Sequence, residues 1–172
     1  MNHPVWSVYD ALRNARLNCK YVGCRLQSAE RLNTSLDIVL AIAAPASAVA
    51  GLWFWTEPGG AVVWRALTAI AAVVAVVKPL LRLTEKIKNL EVSLAGYTML
   101  THDLEEIRTA IAQEKRYDAG HLALLKKAIQ REGFLKISRF EARDNERVKQ
   151  LCQQEVLKEL PVESFFIPQE QP

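Results

Sequence analysis

The sequence predicts an all-α protein, namely a membrane hairpin of two transmembrane helices that is continuous with a cytoplasmic antiparallel coiled coil and is followed by short C-terminal helices. Three observations carry this prediction. The 172-residue chain holds a long uncharged apolar stretch and, close behind it, a second one. On both sides of this pair, apolar residues recur at steps of three and four, as they do on one face of a helix. A tight turn at 57–60 separates the two stretches.

The first element is a cytoplasmic amphipathic helix at 5–36. Between Val5 and Leu36 the only glycine is Gly23, and no proline occurs. One face repeats apolar or small residues at heptad spacing, with Asn33 as a polar member: Leu12, Ala15, Cys19, Val22, Leu26, Ala29 and Leu36. This helix is expected to continue without a break into the first span.

Transmembrane helix 1 is predicted at 38–56, where no residue is charged. At 1.5 Å per residue this stretch is roughly 28 Å long, close to the hydrocarbon thickness of a bilayer. Pro45 removes one backbone hydrogen bond and is expected to kink the helix. Transmembrane helix 2 follows the external turn at 57–60 and is predicted at 61–77. A soluble bundle that contains one apolar helical pair is the alternative.

The ends of the spans carry residues typical of membrane interfaces. Trp53, Trp55 and Trp64 crowd the turn end, as in an aromatic belt. Arg65 and Lys78 are expected to extend their long side chains to the two interfaces. Basic residues precede the first span and follow the second, while the turn has none. The positive-inside rule therefore places both termini in the cytoplasm and the turn outside.

Small residues at intervals of three and four allow close helix packing in membranes. Such residues occur in both predicted spans: Ala43, Ser47, Gly51, Thr68, Ala71, Ala72 and Ala75. They indicate either packing of the two spans on each other or a face for homo-oligomer formation. The sequence leaves both open.

A second cytoplasmic helix is predicted at 80–112, after a kink at Pro79. Its coiled-coil seam runs, with Leu80 at its start, through Leu83, Ile87, Leu90, Leu94, Tyr97 and Leu104. Because the short turn holds the spans antiparallel, the two cytoplasmic arms leave the membrane side by side. Each arm has an apolar stripe to bury, which predicts the antiparallel coiled coil.

Short amphipathic helices are predicted at 121–160, followed by an extended tail at 161–172. The tail carries Phe165, Phe166 and Ile167 between prolines. These apolar residues indicate either docking on a neighbour or a frayed terminus.

No pattern in the sequence predicts an enzyme. The net charge of +3 is small, and basic and acidic residues are mixed along the flanks, which argues against a nucleic-acid partner. Phosphate-binding, dinucleotide, nucleophile-elbow and zinc motifs are absent from the sequence, so no catalytic, cofactor or metal residue is assigned. His102 beside Asp103 is the nearest approach to a catalytic or metal site, and this pair is more typical of a solvent-exposed helix surface. Cys19, Cys24 and Cys152 lack metal-like spacing and are expected to be reduced thiols in a cytosolic compartment.

The layout and several short stretches resemble the SLATT family, bacterial two-transmembrane effectors associated with nucleotide-dependent antiphage conflict systems. The resemblance covers roughly residues 10–130 and rests on Tyr21, Ser28-Ala29-Glu30-Arg31-Leu32, the turn with its glycines and tryptophans, Lys78-Pro79-Leu80-Leu81, Lys86-Ile87-Lys88-Asn89-Leu90-Glu91, Tyr97-Thr98-Met99-Leu100 and Leu104-Glu105-Glu106-Ile107.

The resemblance implies an effector of the bacterial inner membrane that oligomerises and permeabilises the lipid bilayer when an antiviral system is triggered. It also implies a separate sensor or a partner that produces a nucleotide signal, because the chain carries no recognisable nucleotide-binding domain. The alternative is a non-catalytic adaptor hairpin that recruits a cytosolic partner through its coiled coil.

Overall fold

The computed structural model describes residues 3–46, 58–137 and 145–168. These residues form five α-helices: α1 Trp6–Ala46, α2 Pro58–Leu80, α3 Leu83–Glu114, α4 Ala119–Ile137 and α5 Glu146–Glu159. A short 3₁₀ helix, Val162–Ser164, follows α5. No strand occurs in the described ranges, so the all-α class is confirmed.

The chain divides into two compact units. Unit 1 comprises Met1–Arg25 and Asn89–Pro172, and unit 2 comprises Leu26–Lys88. Helices α1 and α3 each contribute residues to both units, whereas α4 and α5 lie in unit 1 and α2 lies in unit 2.

In unit 1, α1 and α3 run antiparallel. Arg16 of α1 lies 3.9 Å from Glu105 of α3, and the Cys19 thiol lies 3.4 Å from the Thr98 hydroxyl, so residue numbers fall on one helix as they rise on the other. Of the predicted seam residues, Leu83, Leu90, Tyr97 and Leu104 are buried, and Ile87 and Leu94 are half-buried.

The packing of α1 extends beyond one seam. Val8, Leu12, Ala15 and Val22 are buried at heptad spacing, but Tyr9 and Tyr21 are also buried and lie off that seam. Tyr21 accepts a 2.9 Å hydrogen bond from the backbone N–H of Asn145, the residue before α5. The predicted two-helix coiled coil therefore described only one of the faces that α1 buries, since unit 1 also packs α5 and the tail against it.

The junction between α2 and α3 differs from the predicted kink. Pro79 lies inside α2, which ends at the next residue, and the break comes at Arg82, whose φ of 44° is in the left-handed region. Leu80 is 76% exposed and belongs to α2, so the seam begins at Leu83. At its other end α2 begins at Pro58, within the predicted turn, because proline fits the first helical position.

Two helical glycines provide a matched test of packing in unit 1. A Cβ added at Gly133 would meet nothing within 4 Å, so Gly133→Ala is expected to raise the free energy of unfolding by about 1 kcal/mol. A Cβ at Gly96 would overlap the end of the Leu135 side chain, so Gly96→Ala should raise the free energy of unfolding by less than that or lower it. Urea denaturation followed by circular dichroism measures both; equal stabilisation by the two changes would contradict the close approach of α3 and α4.

Candidate functional site

The described part of α2 presents an apolar face to its surroundings. Ile70, Val73, Val76 and Leu80 are 52%, 62%, 64% and 76% exposed, and their spacing of three and four places them on one side of the helix. Four large aliphatic side chains exposed together on one helix face are more than the scattered single exposures that are normal on a protein surface. This face is the candidate interaction surface of unit 2.

The opposite side of α2 faces α1. Ala71, Val74 and Lys78 are the half-buried residues between Thr68 and Leu80. Lys78 donates a hydrogen bond to the Asp37 carboxylate of α1, so its ammonium group forms an ion pair rather than extending alone to an interface. Arg65 is exposed.

The predicted small-residue positions of α2 fall on both sides. Ala71 lies on the half-buried side toward α1, whereas Thr68, Ala72 and Ala75 are exposed. Ala71 is therefore placed for packing within the chain. The three exposed positions are placed for contact with something outside unit 2.

Much of the first predicted span lies outside the described residues, including Ser47, Gly51, Trp53 and Trp55. Helix α1 continues through Ala43 and Pro45 to Ala46, but their side chains are not described, nor is that of Trp64. Within the described part of that span, Ile38 and Ile42 are 54% and 59% exposed. Across the ranges that the structure describes, no helix is both long and apolar enough to cross a bilayer.

An open cavity of about 390 Å³ lies within unit 2 at the α2–α3 junction. Its lining includes Lys78 and Arg82, but Asp37 pairs with Lys78, and Glu85 lies 3.9 Å from Arg82. Because carboxylates offset both cations, the cavity does not form a strong anion site.

Unit 1 holds an aromatic cluster around the tail segment, residues 160–168. The rings of Phe165 and Tyr9 stack with centroids 4.2 Å apart and planes 10° apart. The guanidinium carbons of Arg13 and Arg108 lie 4.8 Å and 5.3 Å from the Phe165 ring centroid. Trp6 contacts both rings edge-on. Phe165 is 7% exposed, so the tail docks on its own chain rather than fraying at this residue.

Hydrogen bonds fix the backbone of the tail segment. Arg13 donates to the Leu160 carbonyl at 3.1 and 2.6 Å, and Arg108 donates to the Ser164 carbonyl at 3.1 Å. The Tyr9 hydroxyl donates to the Phe166 carbonyl. Burial raises the pKa of that hydroxyl, with Arg108 opposing the shift, so Tyr9 stays a donor at neutral pH.

An ionic ladder joins α5 to α1. Arg16 lies 3.4 Å from Glu159, and Lys20 lies 2.6 Å from Glu159 and 3.0 Å from Glu155. The hydrogen bond between Lys20 and Glu159 raises the pKa of the lysine and lowers that of the carboxyl group. These pairs are partly exposed, so their main effect is to set the register of the two helices.

Glu114, Asp118 and His121 bring potential metal-ligand atoms within 4.8 Å of one another. Arg116 lies 3.0 Å from Glu114 and 3.6 Å from Asp118. Asp118 accepts hydrogen bonds from the N–H groups of Gly120 and His121 at the start of α4, and the bond from His121 lowers its pKa. Asp118 therefore caps the start of α4, and Arg116 offsets the negative charge of Asp118 and Glu114.

His102, the nearest approach to a site in the sequence, is exposed and lies 3.5 Å from Glu106. Its neighbour Asp103 instead bonds to Arg131 of α4. The structure does not bring these side chains together as one site.

Sequence reasoning missed the residues that hold the tail segment, namely Tyr9, Arg13 and Arg108. The available signal was Tyr9, an aromatic residue off the heptad seam, together with the paired phenylalanines near the C terminus. Comparison with known proteins adds no relative, because no protein-family model, curated protein or solved structure matches the chain.

Proposed function

We propose that this chain is a two-transmembrane effector of a bacterial antiviral defence system, which oligomerises in the inner membrane and permeabilises it when triggered. Both termini lie in the cytoplasm, and a separate sensor or nucleotide-producing partner supplies the trigger. The observation that carries the proposal is the exposed apolar face of α2, formed by Ile70, Val73, Val76 and Leu80. In water this face would leave a large apolar area unburied.

The uncharged stretch from Ile38 to Thr56 supports a membrane partner, because its length of roughly 28 Å suits one crossing. The exposed side chains of Ile38 and Ile42 extend this apolar character to the end of α1. Arg65 lies near the start of α2, where its long side chain could reach an interface. The SLATT resemblance adds the effector role.

The exposed small residues support oligomer formation. Ala72 and Ala75 lie away from the side of α2 that faces α1, so a helix from a second copy can approach there closely. Gly51 is one of the small residues of the first predicted span, and it lies outside the described residues.

The test is inducible expression in bacteria, together with the activating partner, while dye entry and membrane potential are recorded. We expect depolarisation and dye entry within the time of induction, and suppression of both by Ala72→Leu with Ala75→Leu, since bulk at these positions blocks close helix contact. Ala69→Leu, at another exposed position of α2, is the matched control for added volume. Intact membranes under every activating condition would reject the effector role.

A non-catalytic adaptor is the second candidate. Val92 and Met99, two turns apart on α3, favour it because they are 66% and 61% exposed and offer an apolar helical surface to a cytosolic partner. An adaptor remains membrane-bound yet harmless when overproduced. The same experiment separates the two functions, since only the effector depolarises the cell.

A further inference from the structure

The antiparallel register of α1 and α5 is set by a series of contacts. Arg13 bonds to Leu160, Arg16 to Glu159 and Lys20 to Glu155, so each step up α1 is matched by a step down α5. One turn beyond Lys20 is Cys24, and one turn before Glu155 is Cys152. The ladder therefore brings these two cysteines opposite each other.

The two side chains interact in unit 1, since the Cys24 thiol contributes to the raised pKa of Cys152. Cys152 is 3% exposed, while Cys24 is exposed to solvent. The three cysteines all fall in the described ranges, and each is a thiol rather than half of a disulfide. Facing cysteines on two packed helices can form a disulfide where their Cα atoms lie within about 7 Å of each other.

We propose that Cys24 and Cys152 are a peroxide-sensitive thiol pair that forms a reversible disulfide and thereby fastens α5 to α1. The pair stands apart from the membrane proposal, because both residues lie in unit 1 and the reaction needs no bilayer.

The reaction follows from the different surroundings of the two sulfurs. Burial raises the pKa of the Cys152 thiol to about 11, and nearby Cys24 adds to the shift, so Cys152 stays protonated at neutral pH. The exposed Cys24 sulfur is the one that peroxide reaches first, and it attacks a peroxide oxygen. The O–O bond breaks, leaving a sulfenic acid on Cys24 and releasing one water that carries the Cys24 thiol proton. The Cys152 sulfur then attacks the Cys24 sulfur, the S–O bond breaks, and a second water leaves with the Cys152 proton. One hydrogen peroxide is consumed, and two thiols become one disulfide.

The disulfide has a structural consequence. Asn145 and Glu146 begin α5, and Leu160 leads into the tail segment, so a covalent bond at Cys152 holds the whole of α5 in register on α1. Lys20, with its bonds to Glu155 and Glu159, sits one turn away and keeps the two sulfurs aligned. Local separation of α5 and the tail from α1 is then blocked until a reductant cleaves the bond.

Cys19 is a matched control within the same helix. Its thiol lies 3.4 Å from the Thr98 hydroxyl of α3, on the side of α1 that packs against α3 rather than α5. Cys19→Ser is therefore expected to leave the reaction unchanged.

The experiment uses the purified full chain, reduced and then freed of reductant. Hydrogen peroxide is added, remaining thiols are blocked with a maleimide under denaturing conditions, and intact mass and tryptic peptides are recorded. We expect the wild type to lose two of its three thiols as a single chain with a Cys24–Cys152 peptide link, restored by a thiol reductant. Cys19→Ser should form the same link, and Cys24→Ser should not.

Cys152→Ala is a second variant that should also fail to form the link. Because Cys24 is exposed, Cys24→Ser keeps the core intact and decides the question even if the Cys152 variant folds poorly. A wild type that retains three thiols, links Cys19 instead, or forms only disulfide-joined dimers would overturn the proposal.

Discussion

Phe165→Ala is expected to lower the free energy of unfolding of unit 1 by about 3–5 kcal/mol, the usual effect of removing a buried phenylalanine side chain. Phe165 is 7% exposed, and its ring is stacked on Tyr9 and flanked by Arg13 and Arg108. Truncation removes the apolar area, the aromatic stacking and both cation–π contacts at once. The tail segment then keeps its hydrogen bonds to Tyr9 and the two arginines and the buried side chains of Leu160 and Pro168.

Phe166→Ala is the matched control, because it removes the same side chain one residue later. Phe166 is 37% exposed, and the Tyr9 bond is made to its backbone carbonyl, so its truncation should cost under about 1 kcal/mol. Urea denaturation followed by circular dichroism gives the two free energies. Hydrogen exchange at the start of α1 locates the effect, since Phe165→Ala should speed exchange there and Phe166→Ala should not. Equal destabilisation by both variants would mean that the tail is not held through Phe165.

The α1 and α3 arms could be predicted because local periodicity encodes them. A seam such as Leu83, Leu90, Tyr97 and Leu104 depends only on the 3.6-residue turn of the helix, which each arm carries in its own sequence. All four of these side chains are buried. The break comes at Arg82, a few residues after the predicted kink at Pro79, because proline is tolerated near the end of a helix and the left-handed residue that ends the run is not glycine.

The tail cluster could not be predicted, because it is formed by residues far apart in the chain. Tyr9 and Phe165 belong to opposite ends of the sequence, and no local spacing states which helix face a terminal segment will cover. The Cys24–Cys152 pair has the same origin. The spacing of cysteines along the sequence can indicate a metal motif or a pair of neighbouring cysteines. The Cys24–Cys152 pair depends instead on the register of α5 on α1, which Lys20 sets with Glu155 and Glu159.

The membrane part of the prediction rests on the length of the uncharged apolar stretches rather than on periodicity. A helix that is apolar on every side has no amphipathic pattern to indicate its partner, and α2 between Ala66 and Val77 has no charged residue. Its apolar face at Ile70, Val73 and Val76 is exposed in the isolated chain. Lipid or a second copy of the same helix would cover this face equally well. A charged residue placed on the face tests whether lipid covers it.

Val73→Asp is expected to keep α2 out of the bilayer and so to weaken the protein's retention in membranes, with the predicted first span at 38–56 left as the remaining anchor. Val73 lies on the exposed apolar face of α2, inside the predicted second span at 61–77, and is 62% exposed. An aspartate in the central part of a transmembrane helix raises the insertion free energy by about 3 kcal/mol relative to valine, roughly a hundredfold in partitioning. The uncharged apolar run of α2 is short, since Arg65 and Lys78 flank it. The remaining apolar residues therefore offset little of the cost of inserting another charge.

Val92→Asp is the control for the same chemical change on a surface outside the predicted spans. Val92 lies on α3 in unit 1 and is 66% exposed, so its replacement changes charge, helix propensity and exposed area as Val73→Asp does. Membranes from expressing cells are washed at alkaline pH, and the protein is measured in pellet and supernatant. We expect the wild type and Val92→Asp in the pellet, and a larger share of Val73→Asp in the supernatant or degraded. If all three proteins wash off alike, the exposed face of α2 covers a protein surface instead of lipid, and the membrane proposal fails. If all three stay in the pellet to the same extent, α2 does not contribute to holding the chain in the membrane.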